Sequence, residues 1–293
     1  MKRASMVVVF AAAVLLAGCS RQTKAPESAG SAATQQAEPK VVRAAVIGGM
    51  TMTGMWDEVA RMFEAETGYK VKVAVTGPRP VLAKAFKEGQ ADLLTMHSGD
   101  ITTDLVADGY GMNMRPWTRN DLVIAGPQSD PAGIRGLTDA AEAFRRIAQA
   151  KANFIDFEGI GSREVCHKIW QKAGVPREGA WVIKDESNGH LDILNFARQH
   201  NAYVVVGRMP VLFEKMKADD MTILLDGDQA MQRPYVVMEA NPEKLPNVNS
   251  KGARALADFL LSDKTQQFLT KFGARNTGDK PLFYPLKLTS ARQ

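Results

Sequence analysis

Two cysteines in 293 residues, Cys19 and Cys166, are too few for a disulfide scaffold or a four-cysteine zinc site, and their spacing excludes a CxxC redox pair. Histidine is as sparse: His97, His167, His190 and His200 are dispersed, with no HxxxH pair. GxSxG, HExxH, the P-loop pattern and a GxGxxG between strand and helix are all missing, so nothing argues for an enzyme and no cofactor or metal is expected. The paired acids Asp219-Asp220 and Asp226/Asp228 read as solvated turns. Charge of one sign is also lacking. The balance is 37 basic against 32 acidic residues, or +5, and it falls to +3 once Lys2 and Arg3 are assigned to a removed leader, which is too little and too scattered for a nucleic-acid binder.

What is present begins with that leader. Lys2 and Arg3 precede the apolar run Val7 to Leu16, and small residues, Ala17 and Gly18, stand before Cys19. The run is short of the roughly 20 apolar residues of a permanent span, so residues 1–18 read as a secretory signal peptide. Leu16-Ala17-Gly18-Cys19 resembles the bacterial lipobox, which makes Cys19 the lipidated N-terminus of an extracytoplasmic, membrane-anchored protein. Ser20 after that cysteine favours the outer membrane if the host is Gram-negative. Residues 19–40 are rich in Ala, Ser, Gln, Pro and Glu with no large apolar side chain, the composition of a flexible tether.

From Val41 the pattern alternates strand and helix. VVRAAVI (41–47) is a strand, Met55, Trp56, Val59, Met62 and Phe63 mark a helix face closed by Gly68, and YKVKVAV (69–75) alternates with period two. PVLAKAFKE (80–88) and residues 100–108 read as helices around the strand ADLLTMH (91–97), which predicts a largely parallel sheet. Further strands fall at 121–127, 153–157, 202–206, 221–225 and 235–240. Helices fall at 138–150, from an N-cap at Ser162 to Gly174, at 190–200, and at 251–261 and 264–272. The length suits two α/β lobes, 41–119 plus 235–293 and 120–234, joined where DLVIAGP and YVVMEA cross. A ligand cleft is then expected between them, at strand carboxyl ends and helix N-termini.

Several stretches carry a resemblance. FEAETGYKVKVAV (63–75), ADLLTMH (91–97), DGYGMNMRPWTRNDLVIAGPQSDPAGIRG (108–136), AFRRIAQAKANF (143–154), IWQKAGV (169–175), LLDGDQAM (224–231), NPEKLPNVN (241–249) and LFYP (282–285) are similar to the tungstate-binding proteins of ABC importers. The resemblance covers about 45–286. It implies a two-lobe periplasmic binding protein fold of type II, with two hinge-crossing strands, a small anionic ligand in the cleft and an ABC permease as partner. Tungstate or molybdate is the family's ligand, and a monomer is expected.

The ligand loops depart from that family. Its first loop, rich in Thr and Ser, aligns with Gly48, Gly49 and Met50, with Thr51 and Thr53 just beyond; its Gly-Thr-Gly aligns with Gly77-Pro78-Arg79. In the second lobe the family's Ser-Arg falls on Asp156 and Phe157, so its anchoring arginine is missing, and Arg163 and His167 on the following helix are the candidates to replace it. The expected ligand set is therefore Gly49, Met50, Thr51, Thr53, Arg79, His97, Ser162, Arg163 and His167. Amide and hydroxyl donors at helix starts suit an oxyanion. Met50, Met52 and Met55, near Met96, Met112 and Met114, leave open a larger organic anion, a metal chelate or a soft metal as cargo. An envelope hand-off carrier or sensor uncoupled from an importer stays open too. Cys166 shares a helical stripe with Val165, Ile169, Trp170 and Ala173 and is expected to be a core thiol.

Overall fold

Strand β1 (Val41–Ile47) is apolar at nearly every position because it is covered on both faces, while β2 (Lys70–Gly77) alternates half-buried and exposed residues as a sheet edge must. The computed structural model describes residues 40–157, 162–274 and 280–286. The leader, Cys19 and nearly all of the tether lie outside the described residues.

β2, β1 and β3 (Leu93–His97) run parallel, with helices between them. Helix α1 (Gly48–Met52) and α2 (Met55–Thr67) follow β1, and α3 (Arg79–Lys87) follows β2. α2 buries Met55, Trp56, Val59 and Phe63 and stops at Gly68, whose φ of 72° lets its N–H close on Glu64 at 2.9 Å. After α4 (Asp100–Ala107) comes β4 (Gly111–Pro127), a strand of 17 residues of which the sequence pattern marked only the second half.

β4 explains the molecule's division. Its first part pairs antiparallel with β9 (Gln232–Ala240) and with the C-terminal β10 (Tyr284–Pro285), and its second part pairs antiparallel with β7 (Val204–Gly207) and β8 (Met221–Leu225). β9 in turn lies antiparallel to β3. The sheet is thus mixed, in the order β10-β4-β9-β3-β1-β2, and not the largely parallel one predicted. Parallel pairing survives in β2-β1-β3 and in β5 (Phe154–Asp156) with β6 (Val182–Lys184), where helices make the crossovers.

Three apolar clusters follow from this layout. The first packs α2, α3, α9 (Ser250–Leu261) and α10 (Asp263–Leu269) on the β1-β3-β9 sheet, around Trp56, Phe63, Trp117, Tyr235 and Phe283. The other two lie on opposite faces of the sheet formed by the end of β4 with β7 and β8. Leu122, Ile124 and Val205 face α5 (Ala140–Ala150) and α6 (Ser162–Ala173), whereas Val123, Ala125, Val204 and Val206 face α7 (Ile193–Gln199). The period of two that separates these sets is the strand's own. Cys166 sits in the second cluster, a free thiol that burial pushes up to about 12, as expected of a core residue. Among the described residues, no helix is long and apolar enough to cross a membrane.

Candidate functional site

β1 runs straight into α1, and β2 and β3 give way to short turns before α3 and α4, so three strand carboxyl ends meet helix N-termini, the position where α/β folds bind ligands. β3 ends at His97 and β2 at Gly77, just ahead of Pro78 and of Arg79 at the first position of α3. Arg79 is only 6% exposed, and its Nη1 donates to the Ser98 carbonyl at 3.3 Å. No carboxylate of a described residue neutralises it.

β9 brings the second cation. It starts at Gln232, three residues before the predicted strand, so Arg233 lies within a ladder, opposite Asn120 of β4. Arg233 is half-buried, its Nε is shut off from solvent without a hydrogen bond, and among the described residues its guanidinium meets no carboxylate at ion-pair distance. Burial lowers its affinity for the proton, and the nearby Arg79 charge adds to that, while Tyr235 and Glu164 oppose it. Two guanidiniums that act on each other, with no carboxylate of a described residue at ion-pair distance, make a basic locus suited to an anion.

Neutral groups complete the wall. His97 stacks on Tyr235 with ring centroids 4.0 Å apart, and its Nε2 lies 3.1 Å from Asn120 Oδ1. Burial holds its pKa well below the usual imidazole value, the Arg233 charge lowers it further, the Asn120 contact opposes this, and Arg79 adds to the lowering. The ring is therefore neutral at neutral pH. Burial raises Tyr235 above the usual phenol value, so it remains a donor, and a Cβ on Gly49 would lie 3.8 Å from its hydroxyl and 3.6 Å from Met209 Sδ. Met209 belongs to α8 (Arg208–Leu212) of the second half yet packs into the first cluster. Glu164 also arrives from the second half, in the first turn of α6.

The expected ligand set divides accordingly. Gly49, Arg79 and His97 come together around Tyr235 and Arg233. Met50 does not join them through its side chain, which is fully buried in the first cluster with its sulfur 3.9 Å from the Thr95 hydroxyl. Thr51 donates to the Gly48 carbonyl and meets Thr76 of β2 at 3.0 Å, and Thr53 donates to the Gly49 carbonyl, so both hydroxyls hold α1 in place. Ser162 is buried at the start of α6. Arg163, Glu164 and His167 are all exposed, and Glu164 Oε1 would lie 3.6 Å from a Cβ placed on Gly99. Arg233 escaped the sequence pattern because Gln232-Arg233-Pro234 reads as a loop, with Pro234 masking the strand start. The one available signal was an arginine two residues before a crossing strand. Among the described residues, no group of His, Cys, Asp and Glu side chains could hold a metal ion.

Residues 44–275 match the family described as bacterial extracellular solute-binding protein. The chain is 31% identical, over 95% of its length and 83% of the other's, to an anion-binding protein ascribed to an ABC transporter in Haloferax volcanii. It is 30% identical to the tungstate-binding protein TupA of Peptoclostridium acidaminophilum, over 97% of this chain and 99% of that one. The solved structure of the tungstate-binding protein TupA from Desulfovibrio alaskensis G20 superposes with a TM-score of 0.69 at 25% identity, covering 84% of this chain and 98% of its own.

Proposed function

Because this chain belongs to the bacterial extracellular solute-binding protein family, we propose that it captures a small oxyanion between two lobes and delivers it, closed, to an ABC permease. The observation that carries the reading is the Arg233 guanidinium, which among the described residues meets no carboxylate at ion-pair distance and feels the charge of Arg79. Arg233 takes the place of the family's missing second-lobe arginine, approaching from a crossing strand instead of a loop. His97, as a neutral ring, and Tyr235, as a phenol, would orient the anion without adding charge.

The lobes are taken as 41–119 plus 235–293 and 120–234, with Arg233 at the seam. Tungstate and molybdate are the first ligands to try, since the names of the relatives point there. The same reading takes 1–18 as a signal peptide, Cys19 as lipidated and 19–40 as a tether, so that a monomer is held outside the cytoplasm by a lipid anchor; the leader composition and the Leu16-Ala17-Gly18-Cys19 run support it. Two experiments test this reading. Calorimetry of the chain with tungstate and molybdate should give saturable one-site binding, and its absence for every oxyanion tried would remove the proposal. Palmitate labelling in a bacterial host should mark the wild-type chain and not Cys19→Ala; equal labelling would refute the anchor alone.

A further inference from the structure

Asn120 is a buried amide of which only one end is in use. It is 4% exposed on β4, and its Oδ1 lies 3.1 Å from His97 Nε2. An amide oxygen can only accept, so His97 donates from Nε2–H, the tautomer that a neutral ring can supply. The Nδ2 group, at the other corner of the amide, meets no acceptor among the described residues. An amino group left open on a side chain this buried costs free energy until something accepts from it.

The ladder register says what stands beside it. Asn120 pairs directly with Arg233, so the two side chains leave the same face of the sheet with Cβ atoms roughly 5 Å apart. Tyr235 lies two residues beyond Arg233 and shares that face, opposite His97 of β3. Arg79 is tied to the same corner through the backbone: its Nη1 donates to the Ser98 carbonyl at 3.3 Å, and the Ser98 N–H donates to the carbonyl of Pro234, the residue between Arg233 and Tyr235, at 3.0 Å. The open amino group therefore belongs to the face of the sheet that carries the cations.

Tungstate and molybdate carry no proton at neutral pH and present only acceptor oxygens. An amide N–H donating to such an oxygen makes a charge-assisted hydrogen bond and adds no further positive charge to a site that already has two. Turned over, the same amide would present its own oxygen and repel the ligand. We propose that Asn120 Nδ2 is a third arm of the anion site, donating to the oxyanion held by Arg79 and Arg233, and that His97 is the positioning residue that keeps the amino group on the ligand side. The inference rests on the reading of this cleft as an oxyanion site built on those two arginines.

Two measurements test it. In calorimetric titration of tungstate and molybdate into the full chain, Asn120→Leu, which keeps the volume and removes the donor, should weaken the better-bound anion about tenfold or more. Asn120→Asp sets a carboxylate opposite Arg233 and should weaken it about a hundredfold or more. Affinity that either variant leaves within about twofold of wild type overturns the proposal, and loss of binding in Arg233→Ala alongside that result shows that the clamp stands without Asn120. A wild type that takes up neither anion removes the oxyanion reading and this inference with it. Urea unfolding of each variant separates the effects, since an amide with a purely structural role would lower the midpoint and spare the affinity. The second measurement needs no ligand. The long-range proton–nitrogen correlation spectrum of the wild type should show His97 as the Nε2–H tautomer; the Nδ1–H tautomer would turn the amide over, place its oxygen on the ligand side and overturn the proposal even where the arginine clamp holds.

Discussion

Arg233 stores a conflict between stability and binding. Its Nε is cut off from water without a hydrogen bond, and no carboxylate of a described residue lies at ion-pair distance, so the group costs stability, and replacing it with an apolar side chain should be neutral or stabilising. Arg233→Met should therefore keep or raise the urea midpoint while oxyanion affinity drops about thirty-fold or more, a separation that a purely structural arginine would not produce. His97 has its own signature. Its pKa is held well below the ordinary value of about 6.5, so the folded state resists a proton that the unfolded chain accepts. Stability is then fully present above that value and is lost as pH falls below it toward the folded pKa, at up to about 1.4 kcal/mol per pH unit. His97→Asn should flatten that part of the pH dependence in urea titrations. Arg79 and His97 could be placed from the sequence because each stands where a predicted strand ends, and the structure puts them there. Met50 read as a candidate because loop and core residues cannot be told apart in a stretch of alternating Met and Thr. The structure folds that stretch into α1 and turns the Met50 side chain inward.

At the scale of elements, β4 and β9 make the fold. The sequence showed the apolar half of β4, residues 121–127, because it is buried on both faces; the first half is mixed in burial and has Pro116, which obscures its strand character. Parallel pairing was expected from the alternation of strand and helix, and that logic holds where helices intervene; a long strand shared by both halves was not visible in it. Close packing makes β4 sensitive. A Cβ on Gly126 would lie 2.6 Å from the Tyr203 ring and 2.8 Å from Leu224, so Gly126→Ala should cost about 1–3 kcal/mol in denaturant unfolding. The crossing is also braced from the C-terminus. Tyr284 of β10 donates to the buried Asp121 carboxylate at 2.5 Å, and Arg208 of α8 stands 3.7 Å from the same group. Burial raises the pKa of Asp121, and Tyr284 and Arg208 offset that rise. Tyr284→Phe would leave the carboxylate with one donor fewer and should destabilise the chain by about 1–3 kcal/mol.

For the whole molecule, the two halves are joined through strands and meet again through side chains. Met209 packs into the first cluster, and Glu164 reaches Gly99. An anion between Arg79 and Arg233 would offset the repulsion between them. The decisive measurement sets the arginine found in the structure against the one expected from the sequence. Calorimetric titration of tungstate, molybdate and inorganic phosphate into Arg79→Ala, Arg233→Ala and Arg163→Ala should show the first two variants losing about thirty-fold or more for whichever anion the wild type holds best, with Arg163→Ala within about twofold of wild type. Binding that survives in Arg233→Ala and collapses in Arg163→Ala would contradict the account.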